Sequence, residues 1–176
     1  RSATAGDYYL SDMEIRQLEQ LIKAGYEDIV VILNVGGIID TTKLLSYPEV
    51  KSILLVWQPG QYGGSAIADV LVGDVTPSGK LSDTFAKNYN DYVTSAGFHE
   101  SADYVKYTED VYVGYRYFET FDPNYKKVNF EFGFGLSYTD FSITDVKTAV
   151  DGNNVKVTPK VTNTGSYSGK EVVQVY

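Results

Sequence analysis

The feature that most constrains this chain is an alternation near its amino terminus: an amphipathic helix with its own cap, then a short unbroken apolar run, then the same two patterns again. Ser11 and Glu14 form an S-x-x-E capping box, and Ile15, Leu18, Leu21 and Ile22 recur at helical spacing until Gly25 stops the turn. The run Ile29 to Leu33 is short and β-branched. It predicts a strand buried on both faces rather than one with a wet side. Asn34, Gly36 and Gly37 end it; Thr41 to Ser46 reads as a short helix closed by Pro48; Ile53 to Trp57 repeats the buried-strand pattern. The turn QPGQYGG leads into Ser65 to Val72, where Ile67, Val70 and Leu71 share a helical face, and a weaker third strand is expected around Lys80 to Phe85.

Helix and buried strand alternating in this way predict an α/β fold, a mostly parallel sheet sandwiched by helices with right-handed crossovers. Ligands in such sheets gather at the carboxyl ends of the strands. That places functional attention on two loops, Asn34 to Asp40 and Gln58 to Gly64. Their glycines have a second use, since glycine permits positive φ and close packing wherever a strand turns into a helix.

From about Lys87 to Tyr125 the periodicity disappears and tyrosine dominates, with YVKYTEDVYVGYRYFETFDPNY at the centre. Disordered linkers avoid aromatics, so this stretch is expected to pack on a domain face. A β pattern follows. Phe141 and Ile143 alternate, Asp151-Gly152 supplies a hairpin turn, and Val155, Val157 and Val161 restore a two-residue period. Pro159 predicts an edge or a bulge. A second turn, Thr164 to Gly169, precedes an expected third strand, Glu171 to Tyr176. A fibronectin-like sandwich needs about seven strands to cover both sheet faces, so three strands imply an incomplete β-sandwich whose remainder lies beyond the chain. The organisation expected is residues 1–87 as part of an α/β sandwich domain, 88–127 as an aromatic connector packed on a domain face, and 128–176 as the start of the β-sandwich.

Composition narrows the function. A net charge of −8 and a pI near 4.6 oppose nucleic-acid binding, which needs lysine and arginine gathered on one face. No apolar run reaches the ~18 residues of a membrane helix, and RSATAGDYYL lacks the pattern of a signal peptide. The absence of cysteine excludes disulfides and thiolate chemistry, and the single histidine, His99, excludes a multi-histidine metal site. His99 reads as a surface-loop residue or, less simply, as the base of a triad. The 16 tyrosines suit sugar rings and domain interfaces equally, because the ring buries area while the hydroxyl finds a partner.

Two glycine-rich segments fail as nucleotide sites. In GDVTPSGKL, Gly73 and Gly79 stand one residue too far apart for a phosphate loop, and Leu81 occupies the position of the magnesium-binding hydroxyl. GFGLSY, Gly133 to Tyr138, lacks the third glycine of a dinucleotide fingerprint. Paired carboxylates remain. Glycosidic bonds are cleaved by one carboxylic acid that protonates the leaving oxygen and a second carboxylate that attacks the sugar or activates water. Glu109 with Asp110, and Asp69 with Asp74, are the local candidates, each with a plain alternative as solvated charge. Adjacent residues on an extended segment point to opposite faces, so Glu109 and Asp110 are poorly placed to flank one bond. Glu109 stands out because aromatics surround it.

WQPGQYGGSAIADVLVGDVTPSGKLSDTF, Trp57 to Phe85, resembles the second-domain signature of glycoside hydrolase family 3. EDVYVGYRYFET and VNFEFGFGLSYTDF resemble the family's next two motifs in the right order, and VTNTGSYSGKEVVQVY, Val161 to Tyr176, resembles the opening of its fibronectin type III-like domain. With GDYYLSDMEI near the start, the resemblance spans almost the whole chain. The chain departs from it at Ser82 and Ala86, where many relatives have proline, and at Asp110, where glycine is common.

The resemblance implies a larger, retaining, exo-acting β-glycosidase that needs no cofactor or metal and acts on β-linked glucosides or oligosaccharides. In the family a TIM-like barrel of the same protein supplies an aspartate nucleophile, and the α/β sandwich lends a glutamate acid/base. That glutamate is expected a few residues before Arg1, so both catalytic carboxylates are expected outside this chain. Glu109, Asp110 and Asp7 are the fallback residues. A noncatalytic carbohydrate-binding or structural module is the alternative reading.

Overall fold

A computed structural model describes residues 2–97 and 100–176. His99 lies outside the described residues. The chain divides into two compact units, residues 1–63 with 81–134, and residues 64–80 with 135–176.

The first unit opens with helix α1 (Asp12–Lys23). Its capping box is closed in both directions: the Glu14 amide donates to Ser11 Oγ at 3.3 Å, and the Ser11 amide donates to Glu14 Oε2 at 2.8 Å. Gly25 takes the left-handed conformation at φ 91° that ends the helix. Strand β1 (Ile29–Leu33) follows, then the one-turn helix α2 (Thr42–Leu45) and strand β2 (Val50–Leu55), which runs parallel to β1. Leu18 of α1, Ile29 and Leu33 of β1, Ile39, and Leu44 of α2 form the core beneath this pair.

The expectation of strands buried on both faces does not hold within this chain. Ile29 and Leu33 are buried, while Val30 and Ile32 on the other face are 48% and 41% exposed. Burial in β1 therefore alternates, because only one face meets a covering layer. The second strand also starts three residues earlier than expected, at Val50, and ends at Leu55.

The rest of the first unit is built on a short antiparallel pair, β3 (Phe85–Ala86) with β4 (Val128–Phe130). A third parallel strand was expected at Lys80 to Phe85. Only its last residue enters a strand, and the pairing is antiparallel, since the polar Ser82, Asp83 and Thr84 give the segment little apolar surface to bury. The aromatic connector carries helix α4 (Tyr115–Phe121), which periodicity did not reveal. Phe118 is buried with Ala86 and Val128 in a second core cluster, its ring edge-on to Tyr92 at 6.0 Å. Asp122, buried at the end of α4, accepts from the amides of Lys126 at 3.1 Å and Lys127 at 2.6 Å and so folds the chain into β4.

The second unit holds helix α3 (Gly63–Leu71) from Gly64 onward and a long hairpin, β5 (Phe141–Asp151) with β6 (Asn154–Asn163). Asp151 pairs with Asn154, so the two-residue turn is Gly152-Asn153, one residue later than Asp151-Gly152, with Gly152 at φ 59°. Pro159 faces a bulge at Asp145 and Val146, the kind of ladder irregularity at which a residue without an amide hydrogen is tolerated. The third strand expected at Glu171 to Tyr176 pairs with nothing among the described residues. Its start is tied down instead: Lys80 Nζ lies 3.3 Å from Glu171 Oε1 and donates to the Gly135 carbonyl at 2.8 Å. Among the described residues the sheets are three pairs, one parallel and two antiparallel, rather than one mostly parallel sheet.

Candidate functional site

The loops at the carboxyl ends of β1 and β2 are held by short-range polar chemistry. Asp40 is buried, and its carboxylate accepts from the amides of Thr42 at 2.8 Å and Lys43 at 3.4 Å, satisfying donors at the start of α2 that the helix itself leaves free. The Asp40 amide donates to the Tyr8 carbonyl at 2.7 Å, and Asn129 Nδ2 donates to the hydroxyls of Thr41 at 3.0 Å and Thr42 at 2.8 Å. In the second loop Trp57 sits at φ 50°, in the left-handed region that bulky residues seldom enter, with its ring tilted on Phe85 at 6.3 Å. Gly63 is required where it stands, because a Cβ there would lie 2.5 Å from Pro59 Cγ.

Beside the first loop lies a cleft of about 230 Å³. Ile38 contributes one wall, the strand approach at Asp83 and Thr84 another, and Glu109, Gly114 and Tyr117 close it from the connector and α4. Glu109 caps the 3-10 turn Asp110–Tyr112, and among the described residues its carboxylate makes no hydrogen bond or ion pair. Thr84 is 4% exposed, and its hydroxyl is the one buried side-chain polar atom without a partner among the described residues. Tyr92 is fully engaged: its phenol oxygen accepts from the Ala86 amide at 2.8 Å and donates to the Thr84 carbonyl at 3.1 Å. Burial above all pushes the Tyr92 phenol above its ordinary value, with the charges of Asp83 and Asp91 adding to it, so it stays a neutral donor. Tyr8, buried against the rings of Tyr89 and Tyr92, is raised further, again mainly by burial.

The carboxylates singled out in the sequence therefore separate. Glu109 lines the cleft and Asp110 does not; the segment is a 3-10 turn rather than extended, and Asp110 is exposed at φ 49°. Asp69 and Asp74 are exposed in the second unit. Asp7 accepts a hydrogen bond from the Ser2 amide. Of the two expected loops, Asn34 to Asp40 reaches the cleft through Ile38, while Gln58 to Gly64 contributes no lining residue. Asp83 and Thr84 were read only as part of a strand; their signal was a run of three polar residues, Ser82, Asp83 and Thr84, between Leu81 and Phe85. Among the described residues no group of three or more histidine or acidic side chains is placed to hold a metal ion, and no helix is long and apolar enough to cross a membrane.

The profile of the glycosyl hydrolase family 3 C-terminal domain matches residues 4–138. The chain belongs to glycosyl hydrolase family 3. β-Glucosidase A of Butyrivibrio fibrisolvens is 45% identical over 97% of this chain and 22% of its own length. An exo-α-(1→6)-L-arabinopyranosidase of Bifidobacterium longum is 39% identical over 94% of this chain and 22% of its own length. A solved β-glucosidase from Paenibacillus barengoltzii superposes with a TM-score of 0.85 at 43% identity, covering 96% of this chain and 19% of that structure. The family 3 chain described here thus spans about a fifth of the length of these relatives.

Proposed function

We propose that this chain is part of a retaining, exo-acting β-glycosidase, first of all a β-glucosidase, and that it forms one wall of the active-site crevice. The aspartate nucleophile comes from a TIM-like barrel of the same protein and the glutamate acid/base from a loop outside residues 1–176. A crevice between domains can hold two carboxylates about 5 Å apart across one sugar, the spacing that a covalent glycosyl intermediate requires. Within the chain, residues 1–87 are part of the α/β sandwich domain, 88–127 the connector packed on it, and 128–176 the start of a fibronectin type III-like sandwich.

The observation that carries this reading is the likeness to a β-glucosidase over nearly the whole chain. The arabinopyranosidase relative favours a second reading of the sugar, since a pyranose of different configuration is accepted by a protein almost as similar. The test is nitrophenol release from aryl β-glucoside, β-xyloside and α-L-arabinopyranoside, by this chain and by the longer protein that contains it. The expected outcome is turnover by the longer protein alone, with the fastest substrate naming the sugar. Turnover by residues 1–176 alone makes Glu109 the first residue to replace, as Glu109→Gln. No turnover of any glycoside by either protein leaves the noncatalytic carbohydrate-binding module.

A further inference from the structure

The connector of the first unit has two apolar faces, and only one is used within this chain. Inward, Phe118 of α4 is buried with Ala86 and Val128. Outward, Tyr107 is 87% exposed, Phe121 58% and Tyr104 53%, and Val111 and Tyr112 are exposed beside them. These side chains make one surface. The Tyr107 carbonyl accepts from the Asp110 amide at 3.4 Å, the 3-10 turn Asp110–Tyr112 follows, and the Tyr112 ring meets that of Phe121 at 5.0 Å. An aromatic side chain carries about 150–250 Å². The patch therefore exposes on the order of several hundred Å², the size at which a contiguous apolar surface marks an interaction site rather than ordinary exposure.

We infer that this outer face of the connector docks on the remainder of the same polypeptide, on a surface that is apolar at its centre and basic at its edge. The inference rests on the reading of the chain as part of a longer protein, and two observations choose the occupant. The chain spans about a fifth of the length of its relatives, so most of a protein of that length lies outside it. The rim of the patch is acidic. Asp103, Asp110 and Glu119 are exposed, Lys106 is held by Glu100 at 3.0 Å, and Arg116 is turned onto the Val111 carbonyl at 3.1 Å. A two-fold contact with a second copy, itself at net charge −8, would set the same acidic rim against itself. A basic surface elsewhere in the polypeptide complements it, giving the aromatic centre and charged rim of a specific interface.

Hydroxyl-radical footprinting of the longer protein, without added glycoside, reads the patch ring by ring and needs no variant. Phe118 and Phe121 are an internal pair in one helix, one buried and one exposed within residues 1–176. The expected result is that Phe121 and Tyr107 are oxidised no faster than Phe118 and the buried Tyr8, at every protein concentration. Oxidation of Phe121 and Tyr107 as fast as in the urea-unfolded protein overturns the inference. So does protection that appears only as concentration rises, which marks a second copy. Zero-length carbodiimide coupling then tests the rim: Asp103, Asp110 or Glu119 is expected to join a lysine outside residues 1–176. In a mixture of light- and heavy-isotope protein each link should stay within one isotope. Links of mixed isotope, or links only to lysines of residues 1–176, overturn the inference. Glycoside hydrolysis with Tyr107 and Phe121 freely oxidised sinks this inference alone; protection without hydrolysis sinks the proposed function alone.

Discussion

The parallel pair β1 and β2 and the hairpin β5 and β6 are both two-stranded, yet they are held by different physics. Beneath the parallel pair lies a core of Leu18, Ile29, Leu33, Ile39 and Leu44. The hairpin has a longer backbone ladder and almost no buried side chain: Ile143 and Val161, paired across it, are 45% and 43% exposed, and Val155 is 67% exposed. Ladder hydrogen bonds alone give small net stability, because each replaces a bond to water, and an isolated two-stranded hairpin is marginal in water. Register in the hairpin is therefore set by its turn and its bulge, whereas the first unit is fixed by what it buries.

The comparison breaks most sharply at the second core cluster. Phe118→Ala removes a ring buried against Ala86 and Val128, and the expected loss is about 3–5 kcal/mol of stability in the first unit. Trp57 is the one tryptophan of the chain and packs on Phe85, so its fluorescence during urea unfolding reports on that unit. A Phe118→Ala protein that unfolds at the parent midpoint would mean that the cluster is not what holds the connector in place.

Alkaline pH gives the next effect, and it falls on the same unit. The Tyr8 phenol is pushed well above the ordinary tyrosine value of about 10, chiefly by burial, so the folded chain keeps a proton that the unfolded chain loses. This stabilisation is whole below about pH 10 and is lost as pH rises beyond it, by at most about 1.4 kcal/mol per pH unit for one phenol. Tyr8→Phe is expected to flatten the decline, measured as the urea midpoint between pH 9 and pH 11. The hairpin region contains no tyrosine between Phe141 and Asn163, so the decline is confined to the Trp57 signal.

What the sequence made legible follows the range of the interactions. The Ser11–Glu14 box, the Gly25 stop and the bulge opposite Pro159 are local, and each is built as read. The pairing of β3 with β4 joins residues more than forty positions apart through two or three residues each, too little pattern to detect. Helix α4 is made of Tyr, Phe, Arg, Glu and Thr, and its Tyr115, Phe118 and Phe121 meet the rings of Phe132, Tyr92 and Tyr112 outside the helix, so tertiary contacts override modest helix propensity. Val30 and Ile32 read as core because the sequence states how apolar a strand is, not which layer covers it. At the cleft, Glu109 was visible through its aromatic neighbours. Thr84 was hidden, because an unpartnered hydroxyl is a property of packing and has no sequence signature.

Local and tertiary contributions can be set side by side at α1. Ser11→Ala removes the side-chain acceptor for the Glu14 amide and the hydroxyl that donates to Glu14 Oε2 at 2.7 Å, while the Ser11 amide keeps its own bond to that carboxylate, an expected loss of about 1 kcal/mol.

The smallest effect sharpens the comparison from the other side. Val155→Ala, opposite Val150 in the hairpin, removes a largely exposed side chain and is expected to change stability by less than about 0.5 kcal/mol. If it costs as much as a core substitution, then something covers the hairpin face in solution, and Val155, Val150 and Ile143 mark where that layer lies. If it costs nothing while Gly152→Val, which places a β-branched residue at φ 59°, shifts unfolding of the second unit, then turn geometry rather than side-chain burial sets the register there.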